Sequence, residues 1–326
     1  MPERVRINHQ KLYSPQLGVV GMVIKAPRSG LTVVVTGASS GFGKGIVKQL
    51  SAEGANVVLA ARRTELIEAL AEECGPNAVA VTTDISKEED IKRLFETATS
   101  TFGKIDVWIN NAALGIIGSF TKVPVEDLVR LVEINILGTM YGSHYALKHF
   151  KEQGRGTLIN MSSFVSKVPM PYGAIYTGTK AAITSLSAGL YQEMKLEGRD
   201  DIHVCVLHPW VTDTPWTQHS GNYSGHELRF GPVDDPEKVI GAVIGLIDNP
   251  QESIDIGFKV KGTLGSYKLV PGLVGKLTGA SLLAMLQSAP EADVTSGSLH
   301  TPVAEGTKVS GDLRQKLKKK LKGQEE

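Results

Sequence analysis

The sequence predicts an α/β fold, a single domain built on a doubly wound parallel sheet of seven strands, with an extension at each terminus. Three observations predict it. From Leu31 onward, short runs rich in β-branched residues alternate with stretches of helical period. The runs are continuously apolar, as strands covered on both faces must be. A glycine-rich turn follows the first run and leads into a helical pattern.

In chain order the strand candidates are 31–36, 56–61, 78–83, 105–110, 157–162, 202–207 and a weaker 253–258. Between them, Ser86 and Glu89 read as a capping box, and Ile91, Leu94, Phe95, Ala98 and Phe102 follow at helical spacing until Gly103 stops the helix. Pro124 and Pro236 stand where a helix's first turn tolerates a missing donor. Residues 1–29 have no clear period and form an N-terminal arm, leaving 30–260 as the domain and 261–326 as a C-terminal extension. Within that extension, Leu269 to Leu286 is expected to dock on the core or on a membrane. Residues 290–326 mix six acidic with seven basic residues and few large apolar ones, so a mobile tail is expected there.

The 326 residues are 41% apolar and 21% charged, as in ordinary globular chains, and a net charge of +1 offers no field for binding nucleic acid. Cys74 and Cys205 are too few for a disulfide framework, which suits a reduced cytoplasmic setting. No apolar run reaches the ~18 residues of a spanning helix. Arg4, Arg6 and Lys11 precede a short apolar patch at 17–24, but no small-residue cleavage site follows, so export is not expected. His208, Asp213, His219 and His226 fit no metal-ligand spacing, and no metal is expected. The run from Arg314 to Lys322 carries six positive charges and no acid. That suits a solvated tail with at most weak attraction to anionic lipid.

The chemistry starts at Thr36-Gly37-Ala38-Ser39-Ser40-Gly41-Phe42-Gly43. Glycines there allow a tight strand-to-helix turn and let a pyrophosphate approach the N–H groups at the helix's positive end. Tyr176 and Lys180, four apart, share one helix face, where an ammonium can lower the pKa of a phenol and make it a general acid or base. Ser163 ends a strand, and its hydroxyl can hold a substrate oxygen. Ser162 is its rival, since strand alternation turns the two to opposite faces.

Together the T-G-x-x-x-G-x-G turn, Asn110-Asn111-Ala112-Ala113, and Tyr176-x-x-x-Lys180 with Ser163 upstream resemble the short-chain dehydrogenase/reductase family over roughly residues 31–260. The resemblance implies a Rossmann-type sheet in the order 3-2-1-4-5-6-7 and a homo-dimer or homo-tetramer. It also implies hydride transfer between NAD(P)(H) and a small-molecule carbonyl or alcohol. The spacing to Tyr176 selects Ser163 over Ser162. It implies a catalytic group of Asn135, Ser163, Tyr176 and Lys180, with Asn135 holding a water in a proton relay. For the cofactor it implies Gly37, Ser39, Ser40, Gly41, Phe42 and Gly43, then Asp84 with Ile85 at the adenine, Asn111 near the ribose, Tyr176 and Lys180, and Thr214 at the carboxamide. Trp210 and Thr212 replace the Gly and Val that the family carries before Thr214, which puts that loop's path in question.

At the end of the second strand, Ala61 stands where NAD-preferring relatives carry Asp, and Arg62 follows. A guanidinium there suits a 2′-phosphate, so NADP is expected over NAD, with Arg63 as second candidate. Leu114, Phe164, Val168, Met170, Trp210 and Trp216 follow strands at the sheet's carboxyl edge and point to an apolar substrate. Two other readings stand beside this one: an NADP(H)-binding regulator without turnover, and a peripheral membrane-associated reductase of lipids.

Overall fold

A computed structural model describes residues 28–314, except the side chains of Phe258 and Lys261. Most of the N-terminal arm and the basic run beyond Arg314 lie outside the described residues. The chain enters β1 (Thr32–Thr36) and α1 (Gly41–Ala52), then β2 (Asn56–Ala61), α2 (Thr64–Cys74), β3 (Ala78–Thr82), α3 (Glu88–Phe102) and β4 (Val107–Asn110). After β5 (Ile116–Gly118), helices α4 (Val125–Val132) and α5 (Gly138–Gln153) are joined by a π-helical stretch at Glu133–Leu137. Next come β6 (Gly156–Met161), α6 (Ala174–Leu196), β7 (Ile202–Pro209), α7 (Trp216–His219) and β8 (Gly221–Tyr223). The last elements are α8 (Pro236–Asp248), β9 (Ser253–Ile256), α9 (Phe258–Leu269) and α10 (Pro271–Ser288).

Seven parallel strands form one sheet in the order β3-β2-β1-β4-β6-β7-β9, which is 3-2-1-4-5-6-7 when only its own strands are counted. Alternation along the strands builds the two layers. Val33 and Val35 on β1 join Ile46, Leu50, Val239 and Val243 from α1 and α8. Val34 between them joins Trp108, Leu94, Ala146 and Phe150 on the other face, under α3 and α5. Strand order reverses between β1 and β4, so a crevice opens at their carboxyl ends. A buried polar network braces the sheet beneath it. Trp108 Nε1 donates to Asn110 Oδ1 at 2.8 Å, Asn110 Nδ2 to Asn160 Oδ1 at 2.9 Å, and Asn160 Nδ2 to Ser187 Oγ at 3.0 Å.

Three local expectations change, and one small sheet is added to them. Ser86 makes no cap. Its hydroxyl donates to Asp84 at 2.7 Å and accepts from Arg130, so α3 begins only at Glu88. Strands β5 and β8 pair as a small second sheet too short to leave a periodic signal. The apolar stretch 269–286 is broken at Pro271, and α9 precedes it as the first arm of a helical hairpin. Finally, residues 290–314, expected to be unattached, are fixed to the domain: Leu299 is fully buried and Ser298 nearly so. Besides Leu299 in the core, they are held largely through backbone carbonyls, as those of Ser298 and Leu299 to Arg62, and composition does not register that kind of anchoring.

Candidate active site

The glycine turn is shaped by sterics. Gly37 has φ +69°, and a Cβ on Gly43 would stand 2.3 Å from the Gly37 carbonyl oxygen, so only glycine lets the first turn of α1 close on β1. Asn111 ties this turn to β4 by donating from Nδ2 to Thr36 O at 2.8 Å. Its neighbour Asn110 points the other way, into the buried network. One crevice runs from Gly37, Ser39, Ser40, Gly41 and Phe42, past Ala61, Arg62, Asp84 and Ile85, to Ser163, Tyr176, Lys180 and Thr214.

At its inner end three side chains from two elements meet. Ser163 follows β6, while Tyr176 and Lys180 lie one turn apart on α6. The Ser163 hydroxyl stands on the phenol side of this group and acts to lower the Tyr176 pKa, while its oxygen accepts from Val165 N–H at 3.5 Å. Lys180 is buried, with Nζ 5.9 Å from the Tyr176 ring centroid and 2.7 Å from Met161 O, to which it donates. Burial in low dielectric pushes the Tyr176 phenol up to about 12, partly offset by the nearby Ser163 hydroxyl. The same burial lowers the Lys180 ammonium to about 7. Ser162 instead donates to Lys180 O at 2.9 Å and shares a hydrogen bond with Thr184, so it braces α6 and faces away from the phenol.

Asn135 is fully buried inside the π-helical stretch, a kind of distortion frequent at functional sites. Its Nδ2 donates to Leu114 O at 2.9 Å and Thr179 Oγ1 at 3.0 Å, and its Oδ1 accepts from Leu114 N–H at 3.0 Å. These bonds hold the loop after β4 against α6. Of the expected apolar lining, Leu114, Phe164, Met170, Trp210 and Trp216 face the crevice, and Phe230 joins them. Val168 is instead in the core, 1% exposed. Trp216 stands with its ring centroid 5.0 Å from that of Tyr176, and Trp210 packs on Phe164 at 4.3 Å. The loop carrying Trp210 and Thr212 still brings Thr214 into the crevice, opposite Gly41.

At the outer end the basic residues are committed differently from expectation. Arg62 donates to the carbonyls of Ser298 at 2.5 Å and Leu299 at 3.2 Å. Arg63 reaches the glycine turn, donating to Ser39 Oγ at 3.0 Å and Ser40 Oγ at 2.9 Å, and also to Glu305 O at 2.9 Å. Burial lowers the pKa of both guanidiniums. Asp84 is held below the ordinary carboxylate range because hydrogen bonds from Ser86 and the Arg130 charge outweigh its burial. The segment 298–314 continues as a strap across the turn. Gly41 N–H donates to Lys308 O at 2.9 Å, Lys44 Nζ to Thr307 O at 3.0 Å, and Asp213 accepts from the backbone of Leu313 and Arg314 at 3.0 Å each. Ser298, Pro302 and Leu313 thereby line the crevice, which sequence patterns could not indicate.

This arrangement has known counterparts. The family model described as short chain dehydrogenase matches residues 31–223. The chain is 34% identical to the uncharacterized oxidoreductase YxnA of Bacillus subtilis over 251 residues, 75% of this chain and 70% of that protein. It is 35% identical to 3beta-hydroxysteroid dehydrogenase 1 of Eggerthella lenta over 231 residues, 67% of this chain and 86% of that protein. The 3-ketoacyl-(acyl-carrier-protein) reductase of Brucella melitensis, solved in complex with NADH, superposes with a TM-score of 0.61 at 30% identity, over 70% of this chain and 96% of that one. A short chain dehydrogenase/reductase of Burkholderia phymatum, solved with NAD, shares the fold at a TM-score of 0.68 and 20% identity, over 76% of this chain and 96% of that one. With a family match over more than half its length and relatives above 30% identity, the chain belongs to the short-chain dehydrogenases, oxidoreductases that act on CH–OH groups.

Proposed function

We propose that the enzyme interconverts a carbonyl and an alcohol on an apolar substrate, uses NADP(H), and employs Tyr176 as general acid and base. The observation that carries this reading is the meeting of Ser163, Tyr176 and Lys180 in one crevice with the glycine turn. The crevice's outer half offers hydroxyls of Ser39 and Ser40, the guanidiniums of Arg62 and Arg63 and the start of α1, a donor set suited to an anionic dinucleotide. Gly37, Gly41, Phe42, Gly43, Asp84, Ile85, Asn111 and Thr214 would complete its seat. When bound, the nicotinamide supplies or accepts the hydride.

The protein's own part is to orient the substrate and move the proton. Ser163 Oγ holds the substrate oxygen, and Tyr176 Oη gives it a proton in reduction or takes one in oxidation. The charged Lys180 favours the phenolate and so brings the Tyr176 proton within reach of transfer. Asn135 is a positioning residue, since it fixes the backbone of Leu114 and the Thr179 turn of α6. Leu114, Phe164, Met170, Trp210, Trp216 and Phe230 make the substrate side apolar and aromatic. The test is a panel of carbonyl compounds followed at the nicotinamide absorbance band. Apolar ketones or aldehydes should be turned over with higher kcat/KM than polyhydroxylated ones, and the reverse order would defeat the substrate assignment.

For the cofactor, Ala61 leaves no carboxylate to accept from ribose hydroxyls or repel a 2′-phosphate. Replacing Ala61 by Asp and Arg62 by Ala should shift the NADP-to-NAD efficiency ratio toward NAD by about tenfold or more, as a charge-assisted contact is lost and repulsion added. Because Arg63 contacts Ser39 and Ser40, an Arg63→Ala variant measured alongside separates the two arginines. Equal efficiencies with the two cofactors in the native protein would refute the NADP assignment.

A further inference from the structure

Helices α9 and α10 form a hairpin whose two ends differ in character. At its base, Val260 and Leu264 pack among Phe164, Val165 and Trp210. Leu282 and Leu286 pack on Ile117 with Met170, Trp216 and Phe230, so the base backs the apolar wall of the crevice. The far end has no such cover. Leu269 is 83% exposed, Val270 47%, Leu273 57% and Leu277 58%, gathered around the α9–α10 junction. From Gly257 to Pro290 the sequence has four lysines, at 259, 261, 268 and 276, and no acid, in a chain whose net charge is only +1. Lys268 and Lys276 flank the exposed leucines and are themselves exposed.

We propose that this hairpin tip docks the enzyme on an anionic lipid surface, with the leucines entering the interface and the lysines meeting the headgroups. Large apolar side chains at an exposed turn, rimmed by cations alone, have the chemistry of an interfacial anchor. A second copy of the chain would set the same lysines against one another with no carboxylate from the hairpin to answer them. No helix among the described residues is long and apolar enough to cross a membrane, so attachment would be peripheral.

The test uses the full chain and vesicles of phosphatidylcholine with and without phosphatidylserine, scored by co-sedimentation. Binding is expected only with phosphatidylserine and should weaken as salt is raised. The pair Leu269→Asp and Leu273→Asp lies on exposed positions, so folding and turnover of a water-soluble carbonyl should be unchanged while vesicle affinity falls at least tenfold. Lys268→Glu with Lys276→Glu should reduce it at least tenfold as well, each lysine near such a surface being worth about fivefold. Vesicle binding that survives both pairs, as it would if the run Arg314 to Lys322 carried it, overturns the proposal. So does a dimer in sedimentation velocity that the leucine substitutions dissolve without any vesicle binding. Binding is read without turnover, so its failure is separable from failure of the carbonyl–alcohol assignment.

Discussion

Tyr176→Phe is expected to lower turnover by about 10²- to 10⁴-fold while nicotinamide cofactor binding survives. The substitution keeps the ring beside Trp216 and removes only the hydroxyl. Stability should change little, because the ring's packing is retained and a single hydroxyl is removed. The pH profile adds a second reading. With Lys180 at about 7, kcat/KM for carbonyl reduction should fall as pH rises through that region, since loss of the ammonium leaves the phenol the weaker acid. Retention of most of the turnover in the Phe variant would remove Tyr176 from the chemistry.

Lys180→Met should separate activity from stability and move them in opposite directions. Turnover should collapse by a similar factor, because the only ammonium beside the phenol among the described residues is gone. Stability at neutral pH should rise, on the order of 1 to 3 kcal/mol, because folding no longer buries a charge whose pKa it lowers from 10.5 to about 7. The figure is kept below the full cost of that shift because the donor to Met161 O is lost too. The sign with pH follows from proton counts. Between about 7 and 10.5 the unfolded native chain holds a proton on this side chain that the folded chain lacks, so native stability rises with pH across that window and the handicap is complete below about 7. Urea unfolding of both proteins at pH 7 and pH 10 would show the gap between them closing. A Met variant less stable at pH 7 would mean that the bond to Met161 outweighs the burial cost.

The parts of the molecule that repeat a local rule were legible in the sequence. Val33-Val34-Val35 could only be a strand covered on both faces, and the spacing of Ile91, Leu94 and Ala98 could only be one helix face. Tyr176 and Lys180 declared themselves because a helix turn brings residues four apart together. What stayed hidden depends on partners far along the chain. Nothing near Arg62 foretells that its guanidinium is taken by Ser298 and Leu299, and nothing near Phe230 marks it as a neighbour of Trp216. Strands β5 and β8 have three residues each, too few for a period. Asn135 was found by resemblance, but its commitment to Leu114 and Thr179 needed the fold.

The strap also has a consequence for how the molecule is made. Gly41 meets Lys308 across 267 positions of sequence, and Arg62 meets Ser298 across 236. Synthesis runs from the N-terminus, so the glycine turn emerges well over two hundred residues before its cover. A nascent chain that has reached β9 holds every strand of the large sheet, yet Arg62, Arg63, Lys44 and the Gly41 N–H still face water. Contacts of such separation form late, because the loop they close is nearly the whole domain. The crevice is therefore finished by a segment that follows all the strands rather than by the strands that begin it, and a chain halted before the strap is made, with β9 clear of the ribosome, would carry a folded sheet with an unroofed cleft.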